Sequence, residues 1–150
     1  DRIIFFGENG ALNIQTNLKN FGSAATVKGS TNDSILKEYD KLKQRYVAKN
    51  LEYIEQRYKK GKKNNDSLEL ELNRKQQALI SSKYLTTINF ALNNKEYEVA
   101  PYLILSEAYN SSVKYLDTVY NSLAPKIKDS KYGKELEFFI VKRKNEDTLL

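Results

Sequence analysis

The chain has 150 residues, 40% hydrophobic and 29% charged, with a formal net charge of +6. That is one globular domain of ordinary size, and no apolar run approaches the ~20 residues that span a bilayer. With no Cys and no His, its residues exclude thiol redox chemistry, Cys/His zinc sites and Ser–His or Cys–His catalytic pairs.

Arg2–Phe6 and Ala11–Thr16 flank Gly7-Glu8-Asn9-Gly10 and predict a hairpin with a four-residue loop. Ala24–Lys28 reads as a third short strand. Three strands in thirty residues make a poor sheet alone, so residues 1–30 are expected to be the β remnant of a larger sheet. Its open edge should pair with another chain or be poorly ordered. The start at Asp1, without an initiator Met or signal peptide, reads as a chain processed or cut from something longer.

Thr31 or Asn32 is expected to cap a long helix, Ser34 to about Lys60. Its apolar stripe is Ile35, Tyr39, Leu42, Tyr46/Val47, Leu51, Ile54 and Tyr58. Gly61 ends it and Lys62-Lys63-Asn64-Asn65 makes the turn. Asp66 with Glu69 has the spacing of a capping box for a second long helix, Ser67–Leu92. Its stripe is Leu68, Leu72, Leu79/Ile80, Tyr84, Ile88 and Ala91/Leu92. The two should lie antiparallel as a hairpin burying Leu42, Ile54, Leu72, Leu79 and Ile88.

After a break at Asn93-Asn94-Lys95, three shorter helices are expected. The first follows Pro101 with Tyr102, Leu103, Leu105 and Tyr109. The second is capped by Ser111 or Ser112, carries Tyr115, Leu116, Val119, Tyr120 and Leu123, and is stopped by Pro125. The third opens at Ser130, with Tyr132, Leu136, Phe139 and Ile140 on one side. The fold class is therefore α+β, mostly α: a long antiparallel helical hairpin, three shorter helices and a small antiparallel β remnant. The division is 1–30 for the β remnant, 31–143 for the helical domain and 144–150 for a tail or linker.

The basic charge is concentrated. Residues 31–63 hold ten basic and five acidic residues, whereas residues 64–150 hold twelve of each. The run Lys41, Lys43, Arg45, Lys49, Arg57, Lys59, Lys60, Lys62 and Lys63 could meet nucleic acid or an anionic membrane. A solvated helix face is the favoured reading, since Tyr39, Tyr46 and Tyr58 fall on the buried stripe rather than beside the lysines. Tyr102, Tyr109, Tyr115 and Tyr120 could line a ligand pocket, but a helical core stripe is the commoner arrangement. Glu135 and Glu137, two apart on a helix, make a poor acid–base pair. Asp33/Glu38 and Asp66/Glu69 are explained by helix starts. No catalytic, cofactor-binding or metal-ligating residue is assigned, and no cofactor is expected.

The order VKGSTND plus a Tyr- and Lys-rich helix (Val27–Tyr58), APYLIL, LDTVYNSLAP and SKYGKELEFFI resembles a known arrangement. It is similar to the N-terminal domain, of unknown function, that precedes the thioredoxin-like domain in TlpA/AhpC-TSA-type thiol–disulfide oxidoreductases of Gram-negative gut bacteria. The likeness covers roughly residues 2–143 and is most specific at YNSLAP…SKYGKEL. It implies an exported, often lipid-anchored protein facing the periplasm, with a redox domain C-terminal to this chain and a protein client as partners. The early strands of the family's β unit are missing, and the chain stops before any Cys-x-x-Cys, so the catalytic cysteines have no positions here.

On this reading the chain is a non-catalytic accessory domain that positions the redox domain or binds its client. A stand-alone envelope binding or adhesion module is the alternative. A nucleic-acid binder is a third reading, and no nucleic-acid partner is expected. Four of the seven Asp residues begin Asp–Ser/Thr–aliphatic triplets, whose middle residues Ser34, Ser67, Thr118 and Thr148 are candidate acceptors. Composition alone predicts roughly 0.3 such triplets. The triplet is similar to the O-glycosylation signal of exported proteins in the bacterial group the resemblance suggests, while helix capping accounts for the first two.

Overall fold

The computed structural model describes residues 2–59 and 66–148, so the expected turn at Gly61–Asn65 lies outside the described residues. The described chain has two strands, β1 (Asn13–Gln15) and β2 (Thr26–Lys28), followed by six helices. These are α1 (Thr31–Lys59), α2 (Asp66–Asn93), α3 (Val99–Glu107), α4 (Val113–Ser122), α5 (Pro125–Lys128) and α6 (Lys131–Thr148).

The β part departs from expectation. β1 pairs antiparallel with β2, Ile14 opposite Val27, in a two-stranded sheet, and Arg2–Phe6 forms no strand. Phe6 shows why. Its N–H donates to Asp33 Oδ1 at 3.1 Å, and its carbonyl accepts from Ser30 Oγ at 2.7 Å. Both ladder groups are thus claimed by the start of α1. Its ring is buried against Tyr102 and Tyr132, with centroids 5.4 and 5.6 Å away, and that aromatic burial outweighs pairing with β1.

The loop that follows Phe6 carries Glu8 to the α1 N-terminus instead of turning a hairpin. The Glu8 carboxylate accepts from the N–H of Thr31 at 3.0 Å and of Asn32 at 2.5 Å. The cap itself is Ser30, not Thr31 or Asn32: Ser30 Oγ accepts from the Asp33 N–H at 2.9 Å. Burial pushes the Glu8 pKa up, but the hydrogen bonds from Asn32 and Thr31 outweigh it, and the carboxyl lies below its ordinary value. A carboxylate here satisfies orphan donors and meets the positive helix end. Asn32 extends the knot, its Oδ1 accepting from the Val99 N–H at 2.8 Å. Residues 6–8, α1 and α3 are thereby tied at one point. Gly29, at φ +96°, makes the turn from β2 into α1 in a region L side chains rarely adopt.

α1 and α2 lie side by side in opposite directions, since Tyr39 meets Thr87, Tyr46 meets Thr86 and Asn50 meets Gln76. The main core lies between the C-terminal half of α2 and helices α3–α6, with Ile88, Ile104, Leu116, Val119, Leu136 and Ile140 at its centre. A second cluster joins Phe6, Tyr39, Val99 and Leu103. Of the residues expected inside the α1–α2 pair, Leu72 and Ile88 are buried, and Leu42 and Leu79 are half-buried. Ile54 is exposed, since α3–α6 do not extend over this end of the pair.

There is one helix more than expected. Pro125 does stop α4, but it also opens α5, sitting at a first-turn position where its missing N–H costs nothing. Ser130 caps α6 as expected, accepting from the Gly133 N–H at 3.2 Å. α6 then runs to Thr148, beyond the boundary at 143, so the residues expected to begin a tail are helical.

Candidate functional site

The apolar stripe of α1 continues over the whole helix, but its cover does not. α3 lies against both α1 and α2 and ends at Glu107, which pairs with Lys43 of α1 and, at 2.6 Å, with Lys83 of α2. Burial pushes the Glu107 carboxyl up, but the bonds and charges of the two lysines outweigh it and hold its pKa below the ordinary value. Glu107 therefore acts as an ionic staple across three helices.

Past the staple the seam is open. Val47, Leu51 and Ile54 are 50%, 53% and 47% exposed, and Tyr58 is 87% exposed. A cleft of about 260 Å³ separates the two helices here, with Tyr46, Val47 and Asn50 on one side and Gln76, Leu79 and Ile80 on the other. Polar bridges hold the distal halves together: Tyr46 to Thr86 at 2.6 Å, Gln76 to Asn50 at 3.0 Å and Arg57 to Gln76 at 3.0 Å. Each such bond contributes only ~1 kcal/mol net. Among the described residues of the distal pair Leu72 is the one buried apolar side chain, so this pair has thin apolar support and carries an exposed apolar strip.

The staple has a pH signature. A carboxyl whose folded pKa is lowered contributes stability above its unfolded pKa and loses it as pH falls through the folded value. Glu107 and Glu8 are both of this kind, relative to a reference of 4.5. Thermal stability should therefore fall as pH drops below about 4.5. Glu107→Gln should cost about 1–2 kcal/mol at pH 7 and flatten that acid limb; a pH series of melting curves for both proteins reads this out.

Among the described residues the basic run is largely ion-paired. Lys43, Lys49, Arg57 and Lys59 are each ion-paired, to Glu107, Glu52, Glu69 and Glu55. Lys41 and Arg45 are exposed, and Lys60, Lys62 and Lys63 lie outside the described residues.

The four tyrosines are not brought together into one pocket. Tyr102 belongs to the ring cluster with Phe6 and Tyr132, Tyr120 lies beside Lys128, Tyr109 is exposed and Tyr115 lines a separate cleft. Glu135 pairs with Lys131, and Glu137 faces Tyr120. Asp33 is buried, holding Phe6 and pairing with Lys37 at 2.6 Å. The side chain of Asp66 lies outside the described residues.

Ser34, Ser67 and Thr118 are all exposed. The hydroxyl of Ser34 donates to the Ser30 carbonyl and that of Thr118 to the Lys114 carbonyl. The Thr148 side chain lies outside the described residues. Among the described residues no cluster of three or more acidic side chains is placed to hold a metal ion, and no helix is long and apolar enough to cross a membrane.

What sequence reasoning missed is the open seam itself, for which the length of the α1 stripe past the reach of any following helix was the available signal. No protein family, curated protein or solved structure was found to match this chain.

Proposed function

We propose that this chain is a non-catalytic accessory module of an exported thiol–disulfide oxidoreductase. We read α1 and α2 as one antiparallel hairpin arm whose open seam receives the thioredoxin-like domain expected beyond residue 150. The observation that carries this reading is where α6 leads. Arg143 Nη1 donates to the Tyr109 carbonyl at 2.9 Å, and Lys144 pairs with Asp117 at 2.7 Å. The C-terminal part of α6 thus passes the α3–α4 corner at Tyr109, two residues past Glu107, from which the uncovered seam departs. A domain joined there by a short linker would start beside the arm, and Val47, Leu51, Ile54 and Ile80 offer the apolar surface an intramolecular interface needs.

The residues that carry the family resemblance also have structural reasons for their identity. Pro125 opens α5, Ser130 caps α6, Gly133 lets α6 approach α5, and Leu136 is fully buried. They support a shared scaffold more than a shared activity. With that scaffold the reading expects a periplasmic or cell-envelope location and a membrane link only through a lipid anchor upstream. It also expects a protein client, and O-linked glycan on Ser34, Ser67, Thr118 and Thr148, which the intact mass of host-made protein would show.

The sequence of the full-length polypeptide tests the reading. A thioredoxin-like segment with a Cys-x-x-Cys soon after Leu150 is the expected result. A stop at that point, or an unrelated domain, removes the proposal and favours a stand-alone envelope module.

A further inference from the structure

A second cleft, of about 370 Å³, lies between the outer face of α2 and the corner joining α3 to α4. Ten residues line it and none is charged, in a chain that is 29% charged. Drawn at random from that composition, such a lining would arise about 3% of the time. Tyr84, Leu85, Ile88 and Tyr115 supply its apolar surface.

Its polar end is unfinished. Ser111 is 5% exposed, and its Oγ has no hydrogen-bond partner. Next to it, Ser112 occupies the N-cap of α4 in extended geometry, yet its side chain caps nothing. The first turn of α4 also contains no acidic residue. The one acidic residue of that helix, Asp117, is neutralised by Lys144 at 2.7 Å. First-turn N–H groups, the positive helix end and an orphan buried hydroxyl therefore meet at one end of an uncharged, partly aromatic cleft.

We propose that this cleft binds a small carboxylate with an apolar or aromatic body. The carboxylate would take the donors of Ser111, Ser112 and the α4 N-terminus, in the way helix ends hold anions. The body would lie on Tyr84, Leu85 and Tyr115. No carboxylate lines the cleft to repel such a ligand, and the chain's net charge of +6 favours the approach of an anion. The volume fits an acylated amino acid, a peptide C-terminus or a short fatty acid.

The test is a chemical-shift titration of the ¹⁵N-labelled 150-residue chain with N-acetyl-L-phenylalaninate, its neutral amide, octanoate and acetate. Saturable shifts at the amides of 110–115, with a Kd below about 1 mM for an apolar acid, are expected. The neutral amide and acetate should bind at least about tenfold more weakly. N-acetyl-L-phenylalaninate and octanoate separate a peptide end from an acyl chain as the source of the carboxylate.

Ser112→Asp supplies an internal cap and an opposing charge. It should raise Tm by about 2–4 °C while weakening acid binding at least tenfold. Ser111→Ala, which removes only the orphan hydroxyl, should weaken binding in the same direction and serves if the first variant does not fold. Equal binding of acid and amide, no saturation, shifts elsewhere on the surface, or unchanged affinity in both variants would overturn the proposal.

Discussion

Gly133→Ala is expected to destabilise the fold by about 3 kcal/mol, although Gly→Ala in an open helix stabilises by ~1 kcal/mol. The sign reverses because α6 starts against the backbone of α5. A Cβ at position 133 would lie 2.6 Å from the Lys128 carbonyl oxygen and closer still to that of Ile127. These are main-chain atoms, and Ser130 holds them in place. Its hydroxyl donates to the Ile127 carbonyl at 2.7 Å and accepts from the Gly133 N–H at 3.2 Å. Relief requires α5 to lift from α6, which would uncover Ile127 and Leu136, both core residues. Urea unfolding of the variant measures the effect; stability equal to the parent would mean that α5 and α6 stand further apart.

The second large effect is a contrast between two apolar helix residues that look alike in the sequence. Leu116→Ala should cost about 2–5 kcal/mol, since Leu116 is fully buried among α2, α3, α4 and α6 and leaves a cavity. Ile54→Ala should change stability by less than about 0.5 kcal/mol, because Ile54 is 47% exposed on the open seam. Denaturant unfolding of the 150-residue chain compares them directly. A large loss at Ile54 would show that the distal arm is part of the cooperative core, and its apolar surface would then have a structural explanation.

Much of the helical frame was legible because local signals agree there. Three- and four-residue spacing gives α1 and α2 nearly their full extent, Asn93–Lys95 breaks the second, and Ser130 caps α6 as its position suggests. The failures share a cause: a partner distant in sequence outbids the local pattern. Arg2–Phe6 reads as a strand, but Asp33 and Ser30, more than twenty residues away, take the backbone groups of Phe6. The α1 cap was shifted by the same knot, since Glu8 supplies the acceptors that make Thr31 and Asn32 helical.

Ile54 was expected inside because periodicity identifies an apolar face without saying whether anything covers it. The tyrosines carried no usable spacing signal, since Tyr102 and Tyr115 face different elements. The cleft beside Ser111 was illegible for a further reason. An orphan hydroxyl is defined by what a turn fails to bring near it, and only the folded corner fixes that.

We propose that the distal arm, Val47–Tyr58 with Gln76–Ile80, is a contact surface for a domain expected to follow α6. Hydrogen exchange across Val47–Tyr58, in the full-length polypeptide and in the 150-residue chain, tests it most directly. Local opening governs exchange in so thinly supported a segment, so covering the seam should slow it at least about tenfold. Equal exchange in the two proteins, with the downstream domain folded, would contradict the account.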